Sequence, residues 1–310
     1  MNFQQLKAVR EAVRAGYNLT DAAERLFTSQ PGVSRQIKEL EDELGVVLFV
    51  RAGKRLVGLT EMGKATLPLI ERLLDGAENL RRVGEDFFAA KRGVLSVAAT
   101  HSQARYALPP AIRDFRLLCP EVDFRLHQGS PQQVAAMLVS GEADLGVATE
   151  ALADHPDLIT FPCYRWTHSL VVPPGHALLD LPSPVKLPQI AQYPIITYDT
   201  GYTGRSRTHR AFRDAGLEPQ VVLTAMDADV IKTYVELGMG VGLVASVAVD
   251  PRRDAHLGLI DVGHLFEINV TRLAIKKGVW LRGYVYQFIE TFVPSLTRHE
   301  VESSLSAGLA

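Results

Sequence analysis

The chain has 310 residues, 47% of them hydrophobic and 22% charged, a composition suited to a globular protein of about two domains. A net charge of −2 excludes a generic polyanion binder, and no apolar run reaches the roughly 18 residues of a membrane span. The opening MNFQQLKAVREAV lacks the apolar core of a signal peptide, so a cytoplasmic protein is expected. Cys119 and Cys163 lie far apart with no metal spacing, and they read as buried thiols in a reducing compartment. Charge is unevenly spread. Residues 1–92 hold 15 Lys and Arg against 13 Asp and Glu, and the remainder holds 18 against 22. Any nucleic-acid contact must therefore come from local placement of basic groups.

A first helix is predicted over Phe3 to Ala15, with Phe3, Leu6, Val9 and Val13 on one stripe. A second runs from Thr20 to Leu26, with Thr20 as its N-cap, and breaks at Phe27-Thr28-Ser29. A third opens with Ser29 as cap and Pro31 in the first turn, where a missing N–H costs nothing. Val33, Ile37, Leu40 and Leu44 give that helix an apolar face. Its other face carries Gln30, Ser34, Arg35 and Lys38, side chains suited to base edges and phosphates. Helix pairs of this kind also occur as ordinary packing units. The flanking segments decide in favour of a helix-turn-helix.

Gly45 reads as a helix stop. Strands are predicted over Val46–Val50 and Leu56–Leu59, joined by a loop whose Arg51, Lys54 and Arg55 cluster at the tip. Taken alone this is a solvated charged turn; beside a helix-turn-helix it is a wing that reaches backbone phosphate. Thr60 caps a long helix from about Glu61 to Ala89, interrupted by Pro68. Leu67, Ile70, Leu73, Leu74, Ala77, Leu80, Val83 and Phe87 form its stripe. With little of its own domain to pack on, such a helix is expected to pair with a copy of itself.

After a hinge at Lys91-Arg92-Gly93, strands and helices alternate to the end of the chain. This pattern predicts parallel sheets with helices on both faces, divided into two subdomains. The expected division is a DNA-binding domain over 1–60, a linker over 61–92 and an effector domain over 93–310. Within the last, subdomain I takes about 93–163 and 266–310, and subdomain II about 164–265. The tail Val301–Ala310 is expected to fray.

Thr100, Ser102 and Gln103 follow a predicted strand and open a helix, where free N–H groups favour an anion. Ser130 and Thr149 follow two further strands, and Thr203 lies in the loop Gly201-Tyr202-Thr203-Gly204. These uncharged donors suit a small oxyanion or a carboxylate, with Trp166 as an apolar wall. Each hydroxyl taken singly also fits a cap or a turn; their coincidence at strand ends points to a cleft. Asp227, Asp229 and Lys232 read as helix-start and interface charges, not ligands. Neither GxSxG nor HExxH occurs, and Gly240-Val241-Gly242 follows a helix, so enzyme readings find no support.

The stretch Ala22 to Arg51 and the phrase Leu59-Thr60-Glu61-Met62-Gly63 resemble the LysR-type transcriptional regulators. The linker helix and two-lobed domain extend the resemblance over the whole chain. The pieces Ala99–Pro109, His127–Pro131, Ala148–Leu152, Pro162–Trp166, Thr203–Ser206 and Asp227–Val235 are similar to the CysB/Cbl branch of that family. The resemblance implies a mainly α winged helix-turn-helix followed by an α/β domain like periplasmic binding proteins. It further implies a homotetramer that binds promoter DNA and works with RNA polymerase. The implied function is activation of sulfate-assimilation and cysteine-biosynthesis genes, with no cofactor. The DNA contacts would be Ser29, Gln30, Pro31, Ser34, Arg35, Lys38, Arg51 and Arg55. Thr100, Ser102, Gln103, Thr149 and Thr203 would surround sulfate or an acetylserine-type inducer, with Ser130 and Trp166 beside them. Two rivals are Cbl-like control of alternative sulfur-source genes and, from another class, a two-lobed solute-binding protein.

Overall fold

The computed structural model describes residues 1–53, 55–89, 92–149, 152–200 and 203–307. It comprises two compact units, Met1–Phe87 and Phe88–Ala310. Lys54, Lys91, Gly201, Tyr202 and the side chains of Phe87 and Thr203 lie outside the described residues.

In the first unit α1 (Phe3–Arg14), α2 (Leu19–Arg25) and α3 (Gln30–Leu44) form a three-helix core. Asn2 caps α1, with Gln5 reaching back to complete a capping box. Asn18 caps α2, accepting from the amides of Thr20 and Asp21, so the cap lies two residues before the predicted Thr20. The Asn18 side chain reaches those free N–H groups first, and Thr20 falls inside the helix. Ser29 caps α3 as expected, accepting from Gly32 N at 3.3 Å. Val33, Ile37 and Leu40 are fully buried, each contributing about 1.5–3 kcal/mol relative to exposure. Phe3 and Leu44 lie at the ends of their stripes, beyond the reach of the partner helices, and both are exposed. Gly45 ends α3 with φ +67°, a left-handed conformation.

The wing is a hairpin of β1 (Phe49–Ala52) and β2 (Arg55–Leu59). β1 starts three residues later than predicted because Leu48 is occupied otherwise. Its N–H donates to buried Glu41 and its carbonyl accepts from Thr60. Thr60 caps α4 (Glu61–Ala89), holding Gly63 N at 2.9 Å. A Cβ on Gly63 would lie 2.0 Å from the Leu48 carbonyl oxygen, so only glycine permits this close approach.

The predicted α4 stripe divides into two faces. Leu67, Ile70 and Leu74 pack on the core of the first unit, which corrects the expectation that α4 has little of its own domain to meet. Leu73, Leu80 and Val83 are exposed instead, Leu80 at 75%, and Met62 and Leu69, outside the predicted stripe, are exposed with them. The exposed positions follow one another in steps compatible with a heptad seam.

The second unit contains two five-stranded sheets. The first is built from β3 (Gly93–Ala99), β4 (Val122–Gln128), β5 (Leu145–Ala148), β6 (Leu158–Trp166) and β12 (Asn269–Lys276), in the order β4-β3-β5-β12-β6. The second is built from β7 (His168–Val172), β8 (Ile195–Tyr198), β9 (Val221–Ala225), β10 (Val241–Ala245) and β11 (Gly258–Asp261), in the order β11-β7-β10-β8-β9. The chain passes from the first sheet to the second between Trp166 and His168, and returns between Asp261 and Asn269.

Helices α5 (Leu108–Leu118), α6 (Pro131–Ser140), α10 (Gly283–Phe292) and α11 (Arg298–Ala307) accompany the first sheet. Helices α7 (Leu187–Ile190), α8 (Thr203–Asp214) and α9 (Ala228–Glu236) accompany the second. Both sheets are mixed, not parallel. β12 runs antiparallel to β5 and β6, and β7 antiparallel to β10 and β11. β7 and β12 are reached without an α-helical crossover, so nothing forces them back in the same direction. The tail is also ordered differently from expectation. Thr297 ties the start of α11 to Glu300, and Val301 and Leu305 enter the core of the first sheet.

Candidate functional site

The first candidate surface is the outer face of α3 with the wing. Ser29, Gln30, Pro31, Arg35 and Lys38 are exposed, and Ser34 is half-buried. No acidic residue lies in the first turn of α3, so its N-terminal N–H groups favour an anion such as phosphate. Gln30 and Arg55 line one shallow depression with Tyr17, Asn18 and Thr20, so the wing and the helix meet around a shared surface. Arg35 Nε lies 2.7 Å from Glu39 on the next turn. Arg35, and after it Gln5, hold the Glu39 carboxyl below the usual range.

Arg51, expected to contact DNA, is also tied to α3 within the unit. Its Nη2 lies 3.3 Å from Glu41, whose buried carboxylate also accepts from the amides of Leu48 and Phe49 at 2.8 and 3.2 Å. Glu41 thus bolts the wing onto α3, and Arg51 completes the pairing of a carboxylate too costly to leave alone.

The second candidate site is the group of residues past the ends of β3 and β5, the strand ends where the sequence predicts a cleft. Thr100 and Thr149 follow the ends of β3 and β5 and are buried. Beyond Thr100 the backbone makes a π-helical turn over Gln103–Ala107 before α5 begins. Such turns often occur at functional positions. Gln103 is 2% exposed, and its Oε1 accepts from the Tyr164 hydroxyl. Ser102 is half-buried at the start of that turn, and the Tyr198 hydroxyl of β8 accepts from Ala245 N at 3.0 Å. Burial pushes the Tyr164 and Tyr198 hydroxyls up to about 12, so both stay protonated donors.

Ser130 is the N-cap of α6 and closes a capping box with Gln133, so its hydroxyl is engaged locally. Trp166 ends β6 and sits in a core of the second sheet, ring to ring with His168 at 5.4 Å. Its Nε1 is buried without a hydrogen-bond partner among the described residues. Thr203 opens α8. Thr100, Ser102, Gln103 and Thr149 are therefore grouped by β3, β5 and the π-helical turn, whereas Ser130 serves as a cap.

Sequence reasoning missed the tyrosines and a polar latch between the subdomains. Asp229 accepts from the Tyr106 hydroxyl at 2.6 Å and lies 2.6 Å from Arg105 Nε and 3.4 Å from His101 Nε2. Lys232 is buried, with its Nζ 2.9 Å from the Tyr106 hydroxyl and 3.0 Å from Asp254. Burial alone would raise Asp229, but Tyr106, Lys232, Arg105 and His101 together hold its carboxyl below the ordinary value. His101, Asp227 and Asp229 lie close enough to share a cation, yet Arg105 and Lys232 already bring positive charge to Asp229. Asp227 caps α9 through Val230 N at 2.9 Å. The expectation of helix-start and interface charges thus describes these residues, without the Tyr106 link at their centre. Neither Cys119 nor Cys163 is in a disulfide, and burial pushes the Cys163 thiol up to about 12.

A winged helix-turn-helix in one unit and a two-lobed α/β domain in the other define a DNA-binding transcriptional regulator with a sensor domain. Residues 3–64 match the bacterial regulatory helix-turn-helix protein, lysR family, and residues 89–296 match the LysR substrate binding domain. The chain is 58% identical over 305 residues to the HTH-type transcriptional regulator SsuR of Burkholderia cenocepacia, covering 98% of this chain and 99% of that protein. It is 53% identical over 305 residues to the HTH-type transcriptional regulator CysB of the same species, covering 98% and 97%. The crystal structure of the cofactor-binding domain of the Cbl transcriptional regulator matches with a TM-score of 0.66 at 46% identity, covering 69% of this chain and 93% of that one. The chain belongs to the LysR family of transcriptional regulators, in the branch that holds SsuR, CysB and Cbl. This is a family of regulators, not of enzymes, and the solute-binding reading is set aside. No helix among the described residues is long and apolar enough to cross a membrane.

Proposed function

We propose that this regulator activates sulfate-assimilation and cysteine-biosynthesis genes when an acetylserine-type inducer or a sulfur-containing anion occupies the cleft. The observation that carries the reading is the uncharged donor set Thr100, Ser102, Gln103 and Thr149, grouped past the ends of β3 and β5. Such a set selects a small anion by directional hydrogen bonds, and it needs no partner charge to balance it. The relatives named CysB and Cbl favour a sulfur-linked effector over other small anions. Control of sulfonate or other alternative sulfur-source genes is the second reading, favoured by the identity to SsuR and by the Cbl structure.

In this mechanism Ser29, Gln30, Pro31, Ser34, Arg35, Lys38, Arg51 and Arg55 face DNA, and Arg51 also keeps the wing in place for them. The division into 1–60, 61–92 and 93–310 follows these roles, with α4 pairing two helix-turn-helix units across a two-fold site. Its exposed face of Leu69, Leu73, Leu80 and Val83 supports that pairing. Paired dimers form a tetramer, and inducer shifts the population of its arrangements and the contact with RNA polymerase. Titration calorimetry on the full-length chain tests the cleft. At least one of O-acetylserine, N-acetylserine, sulfate, thiosulfate and adenylylsulfate binds once per chain. A Thr100→Val, Thr149→Val variant weakens that binding by about tenfold or more. Absence of binding by all five ligands, or equal binding to the variant, refutes the reading.

A further inference from the structure

The turn between α2 and α3 presents an aromatic ring to solvent. Phe27 is 97% exposed, more than any other large apolar side chain among the described residues. Its backbone is unusual for such a residue. Phe27 N donates to Glu24 O at 3.1 Å and Thr28 N to Ala23 O at 2.9 Å, which closes α2 in a Schellman arrangement. The residue after the C-cap Leu26 must then be left-handed, and Phe27 has φ +51°. Glycine is the usual occupant, because a side chain is strained there.

Tyr17 shows what normally offsets that strain. It has φ +70°, but its ring lies edge-on against Phe49 at 6.4 Å and packs on the core of the unit. The Phe27 ring joins no apolar cluster among the described residues. A bulky apolar side chain held in a strained, solvent-facing position suits a surface that the free chain does not contain. Its place in the fold names that surface. Phe27 stands two residues ahead of Ser29, the cap of α3, whose N-terminus carries no acid and favours phosphate.

We propose that Phe27 is a DNA contact, packing its ring against deoxyribose carbons beside the phosphate that meets the N-terminus of α3. The contact rests on the helix-turn-helix reading and adds to it an apolar anchor that is blind to base sequence. It releases no counterions, so it strengthens binding without steepening the salt dependence.

Full-length protein tests this on two duplexes of equal length. One is selected from a random-sequence library on the wild-type chain, and the other has its sequence scrambled. Phe27→Gly lowers affinity for both about five- to tenfold, with an unchanged slope against salt. Its melting temperature stays level or rises, because glycine relieves the left-handed backbone. Phe27→Leu keeps an apolar surface and most of the affinity. Wild-type affinity of Phe27→Gly on both duplexes overturns the proposal. So does loss on the selected duplex alone, which signals a base contact, or a lowered melting temperature, which signals a structural ring. A wild-type chain that retards neither duplex overturns the helix-turn-helix reading along with it.

Discussion

Removing Glu41 should loosen the wing more than any other single change on the DNA-facing unit. Its buried carboxylate accepts from Leu48 N at 2.8 Å and Phe49 N at 3.2 Å, and pairs with Arg51 at 3.3 Å. Glu41→Ala leaves two buried N–H donors unsatisfied, each costing about 1–3 kcal/mol. The Arg51 guanidinium is part-exposed and recovers water, so it adds little. The expected loss is about 3 kcal/mol, against about 1 kcal/mol for Glu41→Gln, which keeps an acceptor oxygen. Native-state hydrogen exchange at the Leu48 and Phe49 amides reads the local effect, and gel shifts read the loss of wing placement as about tenfold weaker DNA binding. Exchange protection within about 0.5 kcal/mol of wild type in Glu41→Ala would refute the bolt.

The remaining predictions concern the latch, the linker helix and the thiol. Asp229 has its pKa lowered in the folded state, so the stability it supplies is complete above its unfolded value of about 3.9 and lost as the pH falls through the folded one. Asp229→Asn should cost about 1–2 kcal/mol at neutral pH, discounted for partial exposure, and thermal melts of variant and wild type should converge at acid pH; a gap that persists there argues against the charged latch. Leu73→Glu with Leu80→Glu places charge on the exposed face of α4. Sedimentation should show loss of pairing, with DNA binding about a hundredfold weaker, whereas intact dimers would rule this face out. Cys163, with its thiol pushed up to about 12, should resist iodoacetamide at pH 8 in the folded chain, and rapid labelling would contradict that burial.

What the sequence reveals here follows from how local the signals are. The helix-turn-helix is readable because the Ser29 cap, the period of Val33, Ile37 and Leu40, and the stop at Gly45 all lie within one short segment. The donor residues Thr100, Ser102, Gln103 and Thr149 are readable for the same reason, since each follows a strand end. The latch is not. Tyr106 and Asp229 are 123 positions apart, and Gln103 and Tyr164 are 61 apart, so no local pattern announces either pair. A related limit hides the order of the tail. Val301 and Leu305 look like part of a polar terminus until the first sheet offers them a core. Thr20, the cap expected from the sequence, and Asn18, the cap observed, both have capping side chains, and only geometry separates them.

The central claim is that occupancy of the cleft changes how the helix-turn-helix units engage DNA. The direct measurement is a footprint of the wild-type chain on its selected duplex, with and without saturating O-acetylserine, N-acetylserine, sulfate, thiosulfate or adenylylsulfate. The account predicts that at least one of these alters the footprint boundaries or the affinity, and that the Thr100→Val, Thr149→Val variant does not respond. An unchanged footprint and affinity with every one of them would contradict sulfur-linked control through this cleft.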